Sequence, residues 1–366
     1  MLPVENYKLL KIALILFCLL TGLNISAEKE SKNSAVIYPY LTYSNETNLV
    51  FGIYFIHTAR SKILDRSIPP STIIFHGKYS LDKESAFIIQ TENQLFSGKY
   101  CLCSSIELNK LTRDFYGIGN ETVEDFKEEY KIQEIFFRPS IRRRLKHDFE
   151  IEFIYEIDNF KYLKTEKDGL LSSNTIPGSR NCLLSGAGFS LIYDDRDNSF
   201  LTKSGNFVKL ENVIFSQKIG SDYDFSQMKM DARKFFPIKK SQILSFQYLF
   251  TFSYGTVPFR KLSDIGSKMR GYYSGRFIDN HQMLFRSEYK IFPWQTGKKK
   301  RIGFAAFVET GQVANELQDF GIADLKFCGG IGLRYILLFD EKLTLRLDYA
   351  VGRNSSNMIL ISKEAF

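Results

Sequence analysis

The sequence of 366 residues is poor in the side chains that most metal sites and hydrolases use, with four His, five Cys and one Trp. His57, His76, His147 and His281 are scattered, and no second close pair accompanies Cys101 and Cys103, so metal-ligand spacing is missing. Cys101 and Cys103 sit two apart on one strand-like segment, a poor geometry for a mutual disulfide. Packing is the expected role of these two and of Cys182 and Cys328. Gly186-Ala187-Gly188-Phe189-Ser190 has the wrong central residue for a nucleophile elbow. Nothing in the order of residues sets a serine beside a histidine, so neither an enzyme nor a bound cofactor or metal is expected.

Long apolar runs are also lacking, except at the start. Lys8 and Lys11 precede the run Ile12–Leu23, and Ile25-Ser26-Ala27 reads as a small-residue cleavage site. That run is too short and too poorly flanked for a spanning helix, and Cys18 inside it has no small residue before it, which argues against a lipoprotein. Residues 1–27 are therefore expected to be a signal peptide. A short segment, 28–35, would follow, and 36–366 would form one domain with no periplasmic domain before it.

What the chain does have is aromatics and charge together: 33 Phe and 20 Tyr beside 25% charged residues. Without apolar helices, that combination suits a membrane β-barrel, whose strands show lipid only at every second residue and whose aromatics ring both interfaces. A soluble, secreted β-sandwich or barrel is the alternative on pattern alone. The formal net charge of +8 gathers partly in Arg142–Lys146, Lys239–Lys240 and Lys298–Arg301. In an exported chain these clusters read as solvated turns beside anionic head groups rather than as a nucleic-acid surface.

Period-two segments recur along the whole chain. In 149–158, Phe149, Ile151, Phe153, Tyr155 and Ile157 oppose Glu150, Glu152, Glu156 and Asp158. In 343–352, Leu343, Leu345, Leu347, Tyr349 and Val351 oppose Thr344, Arg346 and Asp348. In 282–291, Met283, Phe285, Tyr289 and Ile291 oppose Gln282, Arg286, Glu288 and Lys290. A helix would scatter such a set around its axis. Sixteen segments are expected: 36–44, 48–57, 71–80, 84–93, 99–109, 131–139, 148–158, 183–194, 205–215, 225–236, 242–254, 282–291, 302–309, 326–338, 343–352 and 357–366. The long gaps 110–130, 159–182, 255–281 and 310–325 fall after odd strands and would lie outside the cell, opposite mostly short turns. The fold class expected is all-β, a single antiparallel transmembrane barrel.

Several motifs carry a resemblance to a known family. Phe115-Tyr116-Gly117-Ile118-Gly119-Asn120 is one, and Tyr193-Asp194-Asp195-Arg196-Asp197-Asn198 before Gly205 is another. Met269-Arg270-Gly271-Tyr272 lies in the loop ahead of the 282–291 strand, Phe307-Val308-Glu309-Thr310-Gly311 reads like an inward acidic strand, and the chain ends Glu364-Ala365-Phe366. The set resembles the bacterial surface antigen family, the barrel of BamA/TamA-type outer-membrane assembly and translocation proteins. This chain would be a barrel-only member without POTRA domains. The resemblance implies a loop folded into the lumen and latched through Arg270 and Gly271 to Glu288, Glu309 or both. It also implies a weak seam between the first and last strands, and Phe366 as a terminal sorting signal, although Ser362 stands where the family shows an aromatic. Asp194, Asp195, Arg196, Asp197 and Asn198 read as a self-paired charged turn more readily than as a calcium loop, because an EF-hand's Gly and closing Glu are missing.

The resemblance implies outer-membrane lipid and unfolded outer-membrane or secreted clients as partners, with a separate periplasmic chain as a further one. Two functions stay open: insertion or translocation of proteins, and a barrel-only surface protein or passive pore.

Overall fold

The computed structural model describes residues 32–44, 48–60, 68–146, 148–198, 201–294, 301–338 and 343–361. The expected signal peptide and the terminal Phe366 lie outside the described residues. Sixteen antiparallel strands form one sheet in which each strand pairs with the next along the chain. We number them β1 (Lys32–Ser44), β2 (Asn48–Arg60), β3 (Ser71–Ser80), β4 (Ser85–Leu95), β5 (Tyr100–Phe115), β6 (Glu128–Arg144), β7 (Phe149–Lys164) and β8 (Cys182–Asp194). The second half gives β9 (Gly205–Phe215), β10 (Phe225–Lys239), β11 (Gln242–Gly255), β12 (His281–Ile291), β13 (Ile302–Ala314), β14 (Lys326–Leu338), β15 (Leu343–Gly352) and β16 (Ser355–Ile361). Among the described residues no helix is long and apolar enough to cross a bilayer.

Alternation decides which face each residue takes. On β7, Phe149 and Phe153 are exposed on the outer wall while Glu152, Glu156 and Asp158 are buried inside. On β12, Phe285 and Tyr289 face out while Gln282, Arg286, Glu288 and Lys290 are buried. The barrel thus has an apolar coat and a charged interior, the reverse of a soluble fold.

Four strands run well past their expected ends. β5 reaches 115, β6 starts at 128, β7 reaches 164 and β13 reaches 314, so the long gaps 110–130, 159–182 and 310–325 shrink accordingly. In the extensions of β5, β6 and β7 the pattern inverts. Leu111, Phe115, Tyr130, Ile132 and Phe160 point inward and pack with Leu171, Phe215, Phe225 and Phe259 into an apolar cluster at the long-loop end. Pairing continues, but polar-in becomes apolar-in, so the alternation that marks the membrane-spanning part stops marking the strand.

β1 and β16 close the circle by proximity, with Cα atoms within 8 Å of each other. The hydrogen-bonded order nevertheless begins at β1 and ends at β16, with no ladder joining the two among the described residues.

Candidate functional site in the barrel lumen

The connection 256–280 turns back into the barrel instead of standing above it. Its two arms meet in a short antiparallel pair, Ser263–Asp264 with Ile278–Asp279. Asp264 holds the tip together: Oδ1 accepts the Ser267 N–H at 3.1 Å, and Oδ2 accepts the Gly275 N–H at 2.9 Å and the Ser274 hydroxyl at 3.2 Å. Ile265, Met269, Tyr272 and Phe277 are buried against Leu284, Val313 and Cys328 of the wall. Apolar burial therefore brings the tip down, and the charges then fix where it stops.

The structure brings Arg270, Gly271, Glu288 and Glu309 together. Arg270 Nη1 donates to Glu288 Oε2 at 2.6 Å and to Asp348 Oδ2 at 3.0 Å. Its Nε donates to Glu309 Oε1 at 2.8 Å, and its backbone N–H donates to Glu309 Oε2 at 2.7 Å. The guanidinium lies 3.3 Å from the centroid of the Phe307 ring. Arg270, Glu288, Glu309 and Asp348 are all at most 4% exposed. Charges this dry are held by mutual pairing and hydrogen bonds, and removing one member strands the rest. Gly271 is there for space: a Cβ would come within 2.6 Å of Cys328 Cβ and 2.9 Å of the Gly352 nitrogen.

Neighbours extend the network in ways the sequence did not single out. Arg334 donates to Asp348 Oδ1 at 2.5 Å and to Glu288 Oε2 at 3.1 Å, and Arg346 donates to Asp348 Oδ2 at 2.8 Å. Cys328 Sγ donates to Glu309 Oε2 at 3.1 Å. Asp348 had the right parity in the 343–352 alternation to be found, but nothing in the sequence named its partner. Room for Arg334 and Asp348 comes from Gly332, where a Cβ would collide with both side chains.

A second anchor lies on the far side of the loop. Lys261 Nζ is 2.8 Å from Glu156 Oε1 and 2.7 Å from Asp158 Oδ2, both on β7. Glu156 is shared with Arg138, which also reaches Glu211 at 2.6 Å. Arg260 beside it donates to the Tyr130 hydroxyl at 3.0 Å. The loop is thus tied to β7 at its base and to β12, β13 and β15 at its tip, and it spans the lumen between them. No motif surrounds Lys261, so sequence reasoning had no signal for it.

The Phe115–Asn120 motif locks the loop from above. Gly119 N–H donates to the Ile278 carbonyl at 2.8 Å. Asn120 donates to the Asp324 carbonyl at 2.7 Å and accepts the Val313 N–H at 3.2 Å. Arg276 donates to the Thr122 carbonyl at 2.6 Å.

The charged turn after β8 is at the opposite end and does not meet the latch. Arg196 pairs with both oxygens of Asp194 at 2.8 Å and stacks over Phe207, 4.6 Å from its centroid. Asp195 accepts from the Tyr193 hydroxyl at 2.8 Å and from Asn206, and Asp197 Oδ1 accepts the Lys203 N–H at 2.8 Å. Gly205 closes the turn at φ +112°, a conformation that few side chains adopt. The carboxylates are taken up by N–H and O–H donors within the turn itself.

Sixteen antiparallel strands with an apolar outer face around a latched internal loop make this a transmembrane β-barrel. The model of the Omp85 superfamily domain matches residues 83–357, most of the chain, and the chain belongs to that superfamily. Among solved structures it is similar to BamA from Haemophilus ducreyi lacking POTRA domains 1–3, at 12% identity and TM-score 0.62, over 91% of this chain and 70% of that one. CdiB from Escherichia coli matches at 10% identity and TM-score 0.58, over 92% and 63%. CdiB from Acinetobacter baumannii matches at 11% and 0.55, over 91% and 59%. The chain therefore spans less than two thirds of either CdiB, and at these identities the likeness is one of fold. No curated protein sequence matches it.

Proposed function

We propose that the chain works in the outer membrane of a Gram-negative-type bacterium, inserting proteins into that membrane or moving them across it. The latch carries this reading. A buried arginine shared by three carboxylates is a costly way to stabilise a barrel, and its return is a loop fixed in one place. The neighbouring β1–β16 boundary supports the same reading. Edge N–H and C=O groups there would pair with an incoming strand, as in recognition by strand addition. Clients would be unfolded outer-membrane or secreted proteins, delivered by a separate periplasmic chain, with surrounding lipid as the receiving solvent. A wide passive pore fits less well, because the loop and the apolar cluster around Phe259 occupy the long-loop end.

The test uses the chain reconstituted in phospholipid vesicles with a urea-unfolded outer-membrane barrel as client. Faster client folding, abolished by a disulfide between cysteines placed in β1 and β16, supports insertion. Folding at the lipid-only rate for every client, together with steady ion conductance, would identify a passive pore.

A further inference from the structure

Cys101 and Cys103 are the second and fourth residues of β5, just past the turn 96–99 at the short-turn end. Strand parity places both on the luminal face with Ser105, Glu107 and Asn109. Both thiols are free, buried, and 3.3 Å apart at sulfur. Their ladder neighbours are Gln94 and Glu92 on β4, and Arg142 and Ser140 on β6. Gln94 Nε2 lies 3.7 Å from Cys101 Sγ. Two buried polar atoms at this spot, Gln94 Oε1 and Arg142 Nε, find no hydrogen-bond partner among the described residues. Arg142 meets carboxylates only at 3.5 Å or more, at Glu150, Glu152 and Glu92.

We propose that Cys101 and Cys103 form a two-thiolate site for a soft monovalent cation of the Cu(I) class. Thiolate sulfur is the soft donor that selects such ions over harder ones. Each thiol loses its proton on binding, so one cation and two thiols give one bis-thiolate complex of charge −1 and two released protons. No electron is transferred. Arg142, paired with Cys101 across the ladder, supplies the counter-charge and has a guanidinium N–H to spare. The competing fate is a disulfide, which strand geometry opposes. Residues i and i+2 on one strand are about 6.6–6.8 Å apart at Cα, the upper limit of the disulfide range. A cation between the sulfurs relieves that strain, since the sulfurs need not close to the ~2.05 Å of an S–S bond.

The purified full chain, reduced with a non-thiol reductant in detergent under nitrogen, is titrated with Cu(I) against a competing colorimetric chelator. One equivalent should be retained, and two thiols should become protected from alkylation, mapped to the peptide containing Cys101 and Cys103. Cys101→Ser and Cys103→Ser should each lose that equivalent, and Cys182→Ser should keep it, with heat-modifiable gel mobility confirming that every variant is folded. No retained Cu(I) in the wild type, an unchanged equivalent in both serine variants, or a Cys101–Cys103 disulfide in protein taken directly from cells would each overturn the site.

Discussion

Glu309 holds Arg270 twice, accepting its backbone N–H on one carboxylate oxygen and its Nε on the other. A side chain alone can swing away from a partner. A contact that includes the backbone fixes the path of the chain, so this carboxylate determines where the loop lies as well as which charge it meets.

Arg270→Lys should therefore fail to replace the wild type. An ammonium keeps the charge but cannot span Glu288, Glu309 and Asp348 as a planar fork does, and it loses the stacking on Phe307. Arg270→Ala should cost on the order of 3–5 kcal/mol if the site is dry, and less where water enters. The check is thermal unfolding in detergent alongside protease digestion from the long-loop side. Both variants should be cut in 256–280 while the wall strands survive.

Lys261 predicts a separable effect. Lys261→Gln leaves Asp158 without its cation and Glu156 with Arg138 alone, while the Arg270 cluster stays intact. The base of the loop should detach from β7 and the tip should remain latched. Single-channel recording in planar bilayers should show larger or noisier conductance for Lys261→Gln than for the wild type, and larger again for Lys261→Gln with Arg270→Ala. Equal conductance in all three would mean the base anchor has no part in filling the lumen.

Gly332→Val tests the room left for the network. A branched side chain there would collide with Asp348 and Arg334, which carry the wall side of the latch. The expected outcome is a lowered melting temperature with loop cleavage resembling that of Arg270→Ala. Gly77→Ala on β3, whose Cβ would meet nothing closer than 3.8 Å, should behave nearly as wild type.

The seam is testable by proximity. In a background with native cysteines replaced by serine, single cysteines along Tyr38–Thr42 should crosslink to partners along Ser356–Leu360 in membranes. Failure at every pairing, with crosslinks from β1 to another strand, would contradict the cyclic order.

The fold was legible in the sequence wherever one face meets lipid and the other meets water. Glu152, Glu156 and Asp158 against Phe149 and Phe153 leave little choice of strand or of face. Legibility ended where β5, β6 and β7 leave the membrane zone, because Leu111, Phe115 and Ile132 turn apolar side chains inward and look like loop or core alike. Of the site, Arg270, Glu288 and Glu309 came from a motif and from parity. Asp348 had parity but no motif. Arg334 was hidden although Ile331, Leu333 and Tyr335 alternate with it, because an inward Arg does not reveal which carboxylate it meets. Lys261 had no local signal at all, since its partners on β7 lie about a hundred residues away in sequence. Ion pairs across a lumen depend on closure of the whole barrel, which no short window of sequence encodes.

Amide hydrogen exchange in bilayers tests most directly whether Arg270 holds the loop inside the lumen. The account predicts that amides of 263–279 exchange as slowly as those of β12 and β13, and far more slowly than the outer turn 316–324. In Arg270→Ala the 263–279 amides should rise to the rate of that turn while β5 and β6 stay unchanged. Wild-type exchange of 263–279 already at the turn's rate, or no change on removing Arg270, would contradict the latch.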